Sequence, residues 1–127
     1  MNKRIILTAA LLGVIAVILG AFGAHALKVR ITPYETDIWD KGVTYQFYHT
    51  LAILYLSTFA RYKNGLINIA YFCFLGGIFL FSGSLYLLAT RTITNIDFPQ
   101  LGALTPIGGL LFILGWIMLF IAALKDK

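Results

Sequence analysis

Gln46 and His49 stand three residues apart, neighbours on one helix face, near the start of the apolar run 43–60. Lipid supplies no hydrogen bonds, so an amide and an imidazole placed there need protein partners or water. Several chemistries are open to them. His49 and His25, on neighbouring helices, could ligate haem, or could bind a metal together with Glu35, Asp37 or Asp40. His49 and Gln46 could instead hydrogen-bond a quinone or a lipid headgroup in an apolar pocket. The plainer reading is a hydrogen-bonded clasp between helices, with His49 satisfied by Ser82 or Ser84. The two histidines share no ligand spacing, so the expectation is no metal and no bound cofactor. No nucleophile sits beside a base and no carboxylate pair lies inside an apolar run, so no catalytic residue is assigned and an enzyme is not expected.

Composition narrows the class. Of 127 residues, 60% are hydrophobic and only 12% charged, against about 25% charged in a soluble globule. The length suits one domain, and the balance suits an integral membrane protein. A net charge of +5 then reports orientation or contact with anionic lipid. No basic stripe with interleaved aromatics occurs in a polar segment, which excludes nucleic acid as a partner. Cys73, the single cysteine, can form neither an intrachain disulfide nor a cysteine-based zinc site, and reads as a small buried residue.

The elements that must position these side chains are four apolar runs, at 5–27, 43–60, 66–90 and 104–124, each long enough to cross a bilayer as a helix. The first run could also be read as a secretory signal ending at Ala24-His25-Ala26. Its length and its seam of small residues, Ala9, Gly13, Ala16, Gly20 and Gly23, favour a retained helix that another helix approaches closely. Between the first two runs, Thr32-Pro33-Tyr34-Glu35 has the form of a capping box. It opens a short interfacial helix over 33–41, closed by Gly42, with an ordinary polar loop as the alternative. The basic turn Arg61-Tyr62-Lys63-Asn64-Gly65 is too short for anything but antiparallel neighbours. In the third run Gly76 and Gly83, and Gly77 and Ser84, lie seven apart; in the fourth, Gly108 and Gly115, and Gly109 and Trp116, do the same. Gly13, Gly20, Gly23, Gly76, Gly83, Gly108 and Gly115 are the expected helix-packing glycines. Thr105-Pro106 reads as the cap and first position of the fourth helix. The fold expected is an all-α, four-helix transmembrane bundle with a short interfacial helix.

Four spans put both termini and the 61–65 turn on one side. Six basic residues lie there (Lys3, Arg4, Arg61, Lys63, Lys125 and Lys127) against four on the other (Lys28, Arg30, Lys41 and Arg91). That asymmetry places both termini in the cytoplasm of a bacterial cell membrane. His49 then lies roughly 9 Å below the start of its span. His25, Gln46, His49, Ser82, Ser84, Tyr86 and Thr105 can meet in the outer half of the bundle. His25 carries a difficulty, since two residues past Gly23 it points about 200° away from the small-residue seam. No Asp, Glu, Lys or Arg lies deep in any run, unlike pumps and most ion-coupled transporters.

The segments "GAFGAHAL", "YQFYHTLA", "GGIFLFSGSLYLL" and "LTPIGG…GW" together resemble the domain of unknown function 423 family, whose eukaryotic relatives are called transmembrane protein 256. The resemblance extends over nearly the whole chain and is weakest over 91–103. It implies a small four-span membrane protein and no activity. The functional expectation is a non-enzymatic, self-associating or accessory subunit, with membrane lipids and either further copies or other membrane subunits as partners. Ligand binding at the polar cluster is the alternative.

Overall fold

A computed structural model describes residues 2–59 and 65–125. Residues 61–64 of the expected basic turn 61–65 and the last two residues lie outside these. The described residues form helices α1 (Lys3–Ala24), α2 (Pro33–Leu56), α3 (Gly65–Gly77), α4 (Gly83–Thr94) and α5 (Leu101–Lys125). A π-helical segment, Ile78–Ser82, joins α3 to α4 into one rod, and a short 3₁₀ turn, Ser57–Phe59, follows α2. Three rods are long and apolar enough to cross a membrane: Lys3–Ala24, Gly65–Thr94 and Leu101–Lys125. α2 is long enough but carries Glu35, Asp37, Asp40 and Lys41 in its first turns.

Register follows from paired contacts. Leu12 meets Gln46 and Leu19 meets Trp39, so α1 and α2 are antiparallel. Gly42 meets Ser82 while His49 meets Phe74, so α2 and the third rod are antiparallel. A Cβ on Gly77 would meet Phe112, and one on Gly115 would meet Phe74, so α5 runs antiparallel to that rod. The main core cluster joins all four rods through Ile5, Leu12, Ile53, Leu56, Phe74 and Phe112, among others. A smaller one, Leu27, Trp39 and Ala89, closes the end where α1 turns into α2. In lipid such packing gains little from the hydrophobic effect, because acyl chains are as apolar as leucine. Close fit and hydrogen bonds carry the specificity.

The capping box forms as the residues predict. Glu35 N–H donates to Thr32 Oγ1 at 3.1 Å, and Thr32 N–H donates to Glu35 Oε1 at 3.0 Å. The Thr32 backbone bond, helped by the Thr32 and Thr92 side chains and by Arg91, holds the Glu35 carboxyl below the usual glutamate range. A lowered carboxyl stabilises the fold fully above its ordinary value of 4.5, and that contribution is lost as pH falls through the lowered value. Glu35→Gln is therefore expected to flatten the acid-side loss of stability, and Thr32→Ala to cost about 1 kcal/mol at neutral pH. Thermal unfolding in mild detergent as a function of pH checks both.

Four expectations need correction. The helix opened by Pro33 does not close at Gly42 as an interfacial piece; it runs unbroken to Leu56. Gly42 has no positive φ. The Tyr86 ring occupies the place its Cβ would take, at 2.8 Å, and Ser82 binds its carbonyl, so packing holds the chain helical through a residue that usually ends helices. α5 starts at Leu101 and leaves Pro106 inside the helix. A proline so near the start removes only the bond to the carbonyl of Gly102, and the fully buried Leu101 anchors the extra turn. Gly83 does not join the packing seam: nothing lies within 4 Å of a Cβ built there. The π turn between Gly76 and Gly83, with Gly83 N–H bonded to the Ile78 carbonyl, adds a residue and shifts the helix face by roughly a quarter turn. Helix α4 also runs on past residue 90 to Thr94, where Asn95 at φ 60° receives the chain in the left-handed region.

The other expected packing glycines are closely covered. A Cβ on Gly13 would meet Thr50 at 3.9 Å, on Gly20 Val43 at 3.4 Å and on Gly76 Leu111 at 3.3 Å. Gly23 lies directly against the Trp39 indole and Gly108 against the backbone of Leu80 and Phe81, and a Cβ on Gly115 would meet the Phe74 ring at 2.6 Å.

Candidate functional site

α2 is the hub of a set of interhelical hydrogen bonds. Gln46, 3% exposed, donates through Nε2 to the Leu12 carbonyl of α1 at 3.0 Å and accepts at Oε1 from the Tyr86 hydroxyl of α4 at 2.6 Å. One amide thus ties three helices. Ser82 Oγ donates to the Gly42 carbonyl at 2.7 Å. Ser84 shares a hydrogen bond with Thr105 of α5 at 2.5 Å and donates to the Phe81 carbonyl at 2.9 Å. Trp39 Nε1 donates to the Leu19 carbonyl at 2.9 Å, and its ring packs on Tyr86 with centroids 4.7 Å apart. These bonds explain how the least apolar helix packs within the bundle: its polar groups face protein.

His49, 4% exposed, is not satisfied by Ser82 or Ser84. Its Nδ1 lies 2.8 Å from the Tyr45 carbonyl, and Trp116 Nε1 donates to its Nε2 at 3.0 Å. A carbonyl can only accept and an indole N–H can only donate, so both bonds exist together only for the neutral imidazole with its proton on Nδ1. The ring stacks on Phe112, with centroids 3.5 Å apart and planes 7° from parallel. Phe74 lies at 5.6 Å and Trp116 at 5.8 Å. Neither nitrogen is left to ligate haem or a metal unless one of these bonds breaks. Among the described residues no group of three or more His, Cys, Asp or Glu is gathered to hold a metal.

Of the residues expected to converge, Gln46, Ser82 and Tyr86 form one connected group around α2. Ser84 and Thr105 form a second between α4 and α5, and His49 a third with α5. His25 joins none. It is exposed just past the end of α1, because Gly23 faces Trp39 and a residue two positions on lies on the far side of the helix.

Sequence reasoning missed Trp116, Phe112, Tyr45 and Trp39 as members of the site. One signal was available: a Trp N–H deep in an apolar run needs an acceptor. A further polar link lies toward the chain start. Thr8 Oγ1 and the Tyr71 hydroxyl are 2.7 Å apart, Arg4 donates to Asn68 Oδ1 at 3.2 Å, and the Arg4 guanidinium stands 5.2 Å from the Tyr71 ring centre.

Beside His49 a hollow of about 500 Å³ opens between α2 and α5, lined by Tyr45, Phe81, Pro106, Gly109, Leu110 and Trp116, among others. It is almost wholly apolar. It can accept a ring or an acyl chain, and it presents no free acid or base.

Comparison with known proteins places the chain among membrane proteins. A family model described as "Protein of unknown function (DUF423)" matches residues 19–109. A UPF0382 membrane protein of Staphylococcus aureus (strain bovine RF122 / ET3-1) is 45% identical over 123 residues, covering 97% of both chains. The UPF0382 membrane protein YwdK of Bacillus subtilis (strain 168) is 41% identical over 125 residues, covering 97% of this chain and 98% of its own. No solved structure matches. With a family model over most of its length and relatives of this similarity end to end, the chain belongs to the DUF423 (UPF0382) family of membrane proteins.

Proposed function

We propose that this membrane protein is a four-span, non-enzymatic subunit that associates with copies of itself or with other membrane proteins. The observation that carries the reading is where the polar side chains go. Gln46, His49, Ser82, Ser84, Tyr86 and Thr105 all hydrogen-bond within the chain, as a clasp between helices requires. α2 is the fourth span in this reading. Its charged first turns lie at headgroup level and its apolar part, from Val43, enters the hydrocarbon. The most apolar stretches of α1 and α5 bury only 22% of their residues. Wide apolar faces therefore remain for lipid or neighbouring helices.

Both termini lie in the cytoplasm in this scheme. Reporter fusions to each terminus test it, and an external reporter at either end overturns it. Size measurement in mild detergent with crosslinking in cells tests association. A strictly monomeric protein with no recoverable partner would sink the subunit role. The hollow beside His49 favours a second reading, binding of an amphiphile between α2 and α5. Haem or metal fits less well, since both His49 nitrogens are engaged.

A further inference from the structure

We propose that the cleft between α2 and α5 holds one phospholipid with a zwitterionic, primary-amine headgroup of the phosphatidylethanolamine type. The proposal rests on the four-span reading, which sets the depth of α2. Three hollows share walls here. The apolar one beside His49 measures about 500 Å³. A second, of about 580 Å³, lies toward the start of α2 between Asp37, Lys41, Gly102 and Thr105. A third, of about 330 Å³, is bounded by Asp37, Asp40, Lys41, Thr44 and Tyr45. Pro106 lines the first and second, Tyr45 the first and third, and Asp37 and Lys41 the second and third. The shared walls make one groove, charged at its mouth and apolar at its floor.

Its chemistry selects the occupant. The floor is built of aromatic and aliphatic side chains and suits an acyl chain. Tyr45, whose hydroxyl makes no hydrogen bond among the described residues, stands where floor meets mouth, at the level of a glycerol ester. At the mouth, Lys41 can bind a phosphate, and Asp37 and Asp40 can bind an ammonium. Pro106 withholds from the Gly102 carbonyl the donor a helix normally gives it, adding an acceptor on the α5 side. Two carboxylates beside one lysine oppose a purely anionic headgroup. A primary ammonium offers three N–H donors to these acceptors, and a quaternary choline offers none.

The test uses the full chain in mild detergent, mixed with equal amounts of phosphatidylethanolamine, phosphatidylcholine and phosphatidylglycerol of identical acyl chains. Native mass spectrometry then counts the lipids retained. The wild type is expected to keep one phosphatidylethanolamine per chain, favoured about tenfold over phosphatidylcholine, the lower end of what one hydrogen bond to a charged group supplies. Joint Asp37→Asn and Asp40→Asn substitution should bring that ratio close to one. Gly109→Leu should lower retention of all three lipids. Its Cβ meets only the Phe81 ring, at 3.7 Å, and the longer side chain fills the floor.

Equal retention of phosphatidylethanolamine and phosphatidylcholine, stronger retention of phosphatidylglycerol, or a preference that survives the double substitution overturns the proposal. Should a variant fail to fold, quenching in wild-type vesicles decides. Brominated phosphatidylethanolamine must quench the groove-lining Trp116 more than brominated phosphatidylcholine at equal fraction, and equal quenching overturns the site. Termini on opposite sides in the fusion assay would instead count against the span count, which lipid retention does not read.

Discussion

Gly108→Ala is expected to destabilise the protein by roughly 3 kcal/mol, the upper range for an overpacked site, in reversible unfolding from mild detergent into SDS. A methyl there has nowhere to go. It meets the Phe81 backbone nitrogen directly, and the Leu80 carbonyl carbon and Phe81 Cα at 2.8 Å. Backbone cannot rotate aside as a flexible side chain can, so α5 must move off the π turn. The same displacement would open the contact between Gly77 and Phe112. Two glycines serve as controls. Gly83 and Gly102 have nothing within 4 Å of a built Cβ, and alanine at either is expected to be neutral or to stabilise by up to about 1 kcal/mol through helix propensity. A loss at Gly108 no larger than at these two would mean that the close approach of α5 to the third rod is wrong.

His49→Ala is the second large effect, expected at about 3 kcal/mol, as for removal of other buried rings. It deletes the face stacked on Phe112 and leaves Trp116 Nε1 without its acceptor. His49→Phe separates the two contributions. It keeps a ring against Phe112 but offers nothing to the indole, and should cost about 1 kcal/mol. Trp116→Phe made in the His49→Phe background should then cost less than in the wild type, by about the 0.6 kcal/mol typical of interhelical hydrogen bonds in membranes. Additive costs would show that the Trp116–His49 bond does not form.

These two sites mark how far the chain could be read without coordinates. Helix-forming runs, the capping box at Thr32 and the small-residue seam of Ala9, Gly13, Ala16, Gly20 and Gly23 are local or periodic features, legible from spacing. The polar requirement of Gln46 and His49 was legible too, since it follows from side-chain chemistry in an apolar run. Their partners were not. A tryptophan 67 positions away reaches His49 because α5 lies alongside α2 in parallel, and no local pattern encodes that neighbour.

The sequence by itself determined an oily helical protein whose few buried hydrogen-bonding groups must meet one another, because apolar length and unsatisfied polarity are properties of the residues. Tertiary structure alone decided which groups meet. A π turn after Gly77 takes Gly83 out of phase with Gly76, the Tyr86 ring keeps Gly42 helical, and the buried Leu101 starts α5 a turn ahead of its proline. Each outcome is set by the shape of a distant neighbour, and packing between helices overrides local preference wherever the two disagree.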